Sequence, residues 1–260
     1  MSAKWDDLAP RVIAGAVMVV VGVAGIRAGG IWFQMLAVFV TAVMVWELAS
    51  MIKREGESAM LLAAITASVL SGLLAHEASW AMLLLLLPPV VGTAMMPRER
   101  LTFFLFALGI MAAGWGLVTF REEHGGTWLF WLVFVVVVTD VAGYFAGRMI
   151  GGPKFWPKVS PKKTWSGTVA GWFGAALVGA LFLTFTNAGR DLIWISAVLA
   201  FASQMGDIAE SALKRRMGVK DSSSLIPGHG GLFDRFDGLL GAALLMLVVA
   251  LIVDVPEVRI

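Results

Sequence analysis

No cysteine occurs in the 260-residue chain, which excludes a disulfide framework, a zinc-thiolate site and any mechanism built on a thiolate nucleophile. That absence leaves the compartment open. Charge is also scarce: Asp, Glu, Lys and Arg together make up 15% of the residues, and a formal net charge of +2 is too small to suggest a nucleic-acid partner. Neither G-x-x-x-x-G-K-[ST] nor G-x-G-x-x-G is present, so neither a P-loop nor a Rossmann nucleotide site is indicated. There is no long-period repeat, no low-complexity tract and no linker that would set off a soluble part, so a single membrane domain over 1–260 is expected. What the chain has in excess is apolar side chains. At 59% hydrophobic residues and a mean hydropathy of +0.85 it lies well outside soluble usage.

A spanning helix needs roughly 20 apolar residues. Predominantly apolar runs centred on 12–26, 29–48, 59–75, 79–96, 101–120, 127–147, 166–186, 192–210 and 238–253 predict an all-α integral membrane protein of about nine transmembrane helices. The first run lacks a convincing cleavage site and is followed by eight others, so it reads as an uncleaved span. Pro88 and Pro89 should kink or divide the fourth.

The basic residues give an independent reading of orientation. Placing the N-terminus on one side gathers Lys4, Arg11, Lys53, Arg54, Arg98, Arg100, Arg148, Lys154, Lys158, Lys162, Lys163, Lys214, Arg215, Arg216, Lys220 and Arg235 there, sixteen of the 20 Lys and Arg. Arg27, Arg121, Arg190 and Arg259 fall opposite. Retained loops carry the excess of Lys and Arg, so the N-terminus and the polar loops 148–165 and 211–237 are expected in the cytoplasm, and the C-terminus on the other side.

The chemistry-bearing residues concentrate in 203–237. Asp207, Glu210, Ser211 and Lys214 stand at i, i+3, i+4 and i+7 and share a helix face, with Arg215 beside them. Intrahelical ion pairs at an interfacial helix end would explain that stripe equally well. Lys220 and Asp221 open a run rich in Ser, Gly and Pro that ends in Pro227-Gly228-His229-Gly230-Gly231, which cannot face lipid and must be a loop. Its glycines permit backbone conformations that turn several N–H groups toward one anion. Asp234, Arg235 and Asp237 then open the last helix, with the two carboxylates three residues apart on one face. Any one of these aspartates could be a simple helix cap. Asp207, Asp221, Asp234 and Asp237 amid Lys214, Arg215, Lys220 and Arg235 suit an oxygen-ligated divalent cation flanked by phosphates.

Outside that stretch, Asp140 lies inside an otherwise apolar run, where a carboxylate is a functional candidate or a polar contact between helices. Tyr144, the only tyrosine, one turn further on, could be an interfacial anchor. Gly143, Gly147, Gly151, Gly167 and Gly171 are spaced for close helix packing. His76 and His124 stand at span ends and read as solvated.

The segment Ser211 to Asp237, SALKRRMGVKDSSSLIPGHGGLFDRFD, resembles the signature of the phosphatidate cytidylyltransferases (CDP-diacylglycerol synthases), S-x-Φ-K-R-x4-K-D-x-[GSA]-x2-Φ-[PG]-x-H-G-G-Φ-x-D-R-Φ-D with Φ a large apolar residue, at every constrained position. Two further blocks are similar to the same family: Asp140 to Arg148, DVAGYFAGR, and Ser160 to Trp165, SPKKTW. Together these cover 140–237. The family usually has Glu after that tryptophan where this chain has Ser166, and Ala where it has Gly143.

The resemblance implies transfer of CMP from CTP to phosphatidate, with pyrophosphate leaving. It points to Asp207 and Asp234, with Asp237 beside them, as ligands of Mg²⁺. It also implies Lys162, Lys163, Lys214, Arg215, Lys220 and Arg235 as phosphate holders, and His229, Gly230 and Gly231 as the lining of a nucleotide loop. Asp140, Thr164, Ser211 and Asp221 complete the substrate-binding expectation. CTP, phosphatidate and membrane lipids are the expected partners; a second cation and a homodimer stay open. A CTP-using lipid or polyprenol kinase is the alternative enzyme, and a transporter the alternative of another class. The D-G-x2-A-R arrangement of enzymes that consume CDP-lipids is absent, and no repeated halves suggest a transporter.

Overall fold

A computed structural model describes residues 8–53, 56–76 and 79–256. Lys4, Arg54 and Arg259, used above to read orientation, lie outside those residues. The elements in order are α1 (Leu8–Ala28), α2 (Gly30–Lys53), α3 (Gly56–Ala75), a 3-10 helix (Ser79–Leu86), α4 (Leu87–Met95), α5 (Arg100–His124), α6 (Gly126–Met149), β1 (Lys154–Trp156), β2 (Ser160–Thr164), α7 (Trp165–Phe182), α8 (Asp191–Met217) and α9 (Phe233–Ala250).

The described residues are all-α apart from one small hairpin. Among the described residues seven helices, α1, α2, α3, α5, α6, α7 and α8, are long and apolar enough to cross a membrane. The fourth and ninth expected runs are built as shorter elements. Around Pro88 and Pro89 the fourth is divided: the 3-10 turns end at Leu86, and the prolines occupy the first turn of α4, where a missing N–H costs no helical hydrogen bond. The ninth, α9, has 18 residues, and Asp234, Arg235 and Asp237 fill its start. Large apolar side chains such as Val20, Phe39, Leu105, Phe173 and Leu177 stand exposed along the long helices, as lipid-facing residues do.

Two compact units divide the chain. The first comprises 1–119 with 217–236, the second 120–216 with 237–260. In the first, α2 and α3 lie side by side around Val45, Leu48, Leu62 and Leu70, all without exposure. Gly92 of α4 lets the ring of Phe103 approach, and Gly114 of α5 lies against Thr41.

In the second unit, small residues set the helix spacing. A side chain on Gly143 would press on the carbonyl of Gly167, one on Gly171 on Thr139 and Gln204, and one on Gly174 on Val138, so α6 and α7 meet backbone to backbone. Gly206 of α8 and Gly241 of α9 meet in the same way. Four of the five glycines expected to serve packing therefore do so. Gly151 is the exception: it has open space around it and a φ of +69°, and it ends α6 in the left-handed conformation.

Loop 148–165, expected as a polar loop, holds the antiparallel hairpin β1–β2, with Lys154 opposite Thr164 and Trp156 opposite Ser160. Thr164 ends β2 and starts α7. Its Oγ1 accepts the N–H of Gly167 at 3.2 Å, an N-cap of the kind that stabilises a helix by about 1 kcal/mol.

Candidate active site

The signature loop belongs to the first unit. Gly218, at φ +69°, takes the chain out of α8, and Lys220 and Asp221 follow on the surface. A tight turn comes next, in which Ile226 N–H donates to the Gly230 carbonyl at 2.7 Å and His229 N–H to the Ile226 carbonyl at 3.0 Å. Gly228 and Gly230 take φ of +73° and +82°, and a side chain at Gly230 would strike the Asp234 carboxylate. The aliphatic part of Arg11 packs on Gly228, the His229 ring lies over Gly15, and Arg235 Nε donates to the His229 carbonyl at 3.1 Å.

Asp234 Oδ2 accepts three hydrogen bonds, from Ser222 N–H, Ser222 Oγ and Gly231 N–H, each at 2.8 Å. The N–H of Gly231, expected to face a phosphate, is thus turned toward a carboxylate of the chain itself. In this arrangement Asp234 closes the loop onto the start of α9.

Sequence reasoning missed a second carboxylate in the same unit. Glu47, on α2, is completely buried. Its Oε1 accepts Ser223 Oγ–H at 2.6 Å and Leu232 N–H at 3.0 Å; its Oε2 accepts Phe233 N–H at 2.6 Å and Ser222 Oγ–H at 3.3 Å. The available signal was a lone carboxylate within the apolar run of the second span, where an ionisable residue is a functional candidate by default.

The second unit carries the other group. The hairpin sets Lys162 in the open and turns Lys163 inward, where its Nζ forms an ion pair with the Asp207 carboxylate of α8. Asp207 Oδ1 also accepts Ser211 Oγ–H at 3.2 Å, one turn along the stripe. The other i, i+4 pair of that stripe is Lys214 with Glu210 at 2.5 Å, so part of it is an intrahelical ion pair, with the Glu210 side chain only 1% exposed. Arg215 points outward. Asp237 interacts electrostatically with Asp207, Lys214 and Asp140, while its Oδ1 accepts Gly238 N–H at 2.7 Å. Tyr144 is exposed and accepts a hydrogen bond from Arg148 at 2.8 Å.

Two hydroxyls where β2 passes into α7 are held internally. Thr164 is buried as the α7 cap, and Ser166 donates to the Gly151 carbonyl and lies 3.0 Å from Thr164 Oγ1. Ser166 therefore ties the hairpin's outgoing end to the chain just past α6.

Among the described residues no three His, Asp or Glu side chains are grouped to hold a metal ion. Asp207 and Asp237 nonetheless fit one in part. Two like charges within electrostatic reach, with Asp140 adding a third, are disfavoured by themselves and stabilised by a divalent cation that takes its remaining ligands from substrate oxygens.

The sequence pattern of the Cytidylyltransferase family matches residues 9–253. A phosphatidate cytidylyltransferase of Brucella suis biovar 1 is 43% identical over 156 residues, 59% of this chain and 58% of that protein. One from Staphylococcus aureus strain COL is 33% identical over 159 residues, 58% of this chain and 61% of that protein. These alignments span less than two thirds of either relative. The match to the family pattern runs over nearly the whole chain, through both groups of polar residues just described, and the chain belongs to the cytidylyltransferase family.

Proposed function

We propose that this protein transfers a cytidylyl group from CTP to phosphatidate, forming CDP-diacylglycerol and pyrophosphate at the cytoplasmic face of a membrane. One observation carries the reading: the Lys163–Asp207 ion pair, which joins the SPKKTW hairpin to the helix that runs into the signature. Two sequence blocks far apart in the chain, both similar to those of phosphatidate cytidylyltransferases, thereby share one cluster of charge.

In the proposed reaction a phosphatidate oxygen attacks the α-phosphorus of CTP, the bond from that phosphorus to the bridging oxygen breaks, and pyrophosphate leaves with the electron pair. The nucleophile is already ionised, so a general base is less important than positive charge around the transferring group. Lys162, Lys163, Lys214 and Arg215 supply that charge, and the resemblance adds Lys220 and Arg235. Asp207 and Asp237 would hold Mg²⁺, which offsets phosphate charge when bound. Until substrate arrives, Lys163 neutralises Asp207. The resemblance adds Asp234 as a further ligand; its three hydrogen bonds at Oδ2 give it first a loop-fixing role.

The test is purified protein with phosphatidate and CTP labelled at either the α- or the γ-phosphorus, with and without Mg²⁺. Label from the α position is expected in the lipid, and only with Mg²⁺. Label from the γ position in the lipid would make the protein a CTP-dependent lipid kinase instead.

A further inference from the structure

We infer that Glu47 is a positioning residue for the transfer reaction, a carboxylate on α2 that fixes the signature loop and the start of α9 from outside the signature. The inference rests on the proposed function for its activity readout and on geometry for the rest. The first N–H groups of a helix have no partner within it. Here those of Leu232 and Phe233 both end on Glu47, one on each oxygen; Oε1 takes in addition the Ser223 hydroxyl at 2.6 Å, and Oε2 the longer arm, at 3.3 Å, of a Ser222 hydroxyl proton shared with Asp234. Four donors converge on a side chain with no exposure, an arrangement that suits an acceptor-only carboxylate. The positive end of α9 favours a negative charge at the same place.

Asp234, the acidic residue in the helix's first turn, does not supply this cap: its Oδ2 is directed back to Gly231 and Ser222. Gly231 has to be glycine partly for this reason, since a Cβ there would collide with Glu47 and with Ser222 Oγ. The serines that Glu47 holds also line an open cleft of about 530 Å³, together with Trp46 and Ser50 of α2. One face of the network is thus structural and the other meets whatever enters the cleft.

Glutamine at position 47 is nearly isosteric but offers one acceptor, and its amide N–H₂ would confront two of the four donors. The orientation of the first turn of α9, which carries Asp234 and Arg235, should loosen while α2 stays packed. For Glu47→Gln the expected result is at least a tenfold fall in kcat, with KM for CTP and for phosphatidate each within threefold of the unsubstituted protein. Glu47→Asp, which keeps the charge, should recover part of the loss. Hydrogen exchange measured by mass spectrometry should rise in 222–234 and not along α2 and α3. Should Glu47→Gln fail to fold, Ser223→Ala removes one 2.6 Å donor and should lower kcat at least threefold. A kcat within threefold in folded Glu47→Gln, an unchanged kcat in Ser223→Ala, or exchange that rises equally across α2 and α3 would overturn the inference. If the unsubstituted protein does not transfer CMP at all, the proposed function fails, and the exchange pattern alone decides whether Glu47 holds the loop.

Discussion

Lys163 and Asp207 form an ion pair between the end of β2 and the middle of α8. They stand 44 positions apart in the sequence, and the hairpin is what brings them together. Asp207 is also within electrostatic reach of Asp237, so Lys163, with Lys214, offsets a repulsion between two carboxylates. On the proposed function a cation in this position has two uses: it neutralises Asp207 before substrate binds, and it would be in place to take a phosphate oxygen if a divalent cation takes the carboxylate.

Lys163→Ala should therefore cost far more than a lysine at a membrane surface, whose contact with anionic lipid is worth about 1 kcal/mol. We expect at least a thirtyfold fall in kcat/KM with saturating Mg²⁺ in neutral detergent. Less than a threefold change for both CTP and phosphatidate would return the hairpin to a membrane-anchoring role.

Asp207→Asn and Asp237→Asn should each abolish CDP-diacylglycerol formation and leave the protein folded, because an amide cannot replace the carboxylate's charge at a divalent cation. Asp234→Asn should differ in kind. It weakens three hydrogen bonds that close the loop, so lost activity should come with faster backbone exchange at Ser222 and Gly231. Normal turnover in any of the three would remove that residue from the site.

Much of this organisation can be read from the chain alone, for physical reasons. The bilayer demands long apolar runs, so helix positions follow from composition, and the i, i+4 rule already pairs Asp207 with Ser211 and Glu210 with Lys214. Glu47 was not legible. Its partners are 175 to 186 residues away, and a single carboxylate in an apolar run carries no periodicity to mark what it meets. The hairpin was missed for a different reason: β1 is three residues long, and Thr164 serves both as strand end and helix cap. The glycine loop was read correctly as a loop, and the anion that Gly231 N–H meets, the Asp234 carboxylate, follows it by only three residues.

Orientation can be tested on a background that the composition makes convenient, because a chain without cysteine carries no competing thiol. Ser224→Cys, in the signature loop, should react with an impermeant thiol reagent only when the cytoplasmic face is open. Gly189→Cys, between α7 and α8 and with open space around it, should show the reverse. Labelling of position 224 in sealed cells from outside would sink the orientation read from the basic residues.

The last prediction concerns stability rather than chemistry, and it separates glycines that pack from those that turn. Gly206 on α8 and Gly241 on α9 approach so closely that a Cβ on Gly206 would overlap the Asp237 carbonyl and the Gly241 backbone. None of these atoms can rotate away, because all belong to helix backbone. Gly206→Ala gains helix propensity of up to about 1 kcal/mol, yet it must push α9 outward, and overpacking of this kind costs about 1–3 kcal/mol. The net change should be destabilising, and since Asp237 moves with α9, activity should fall with it. Gly72→Ala in the last turn of α3 is the control, a helical glycine with nothing near enough to meet a methyl group. It should leave thermal stability in detergent unchanged or slightly higher. A Gly206→Ala protein as stable as the Gly72→Ala control would show that α8 and α9 can separate without loss and that their close approach is not what fixes Asp237.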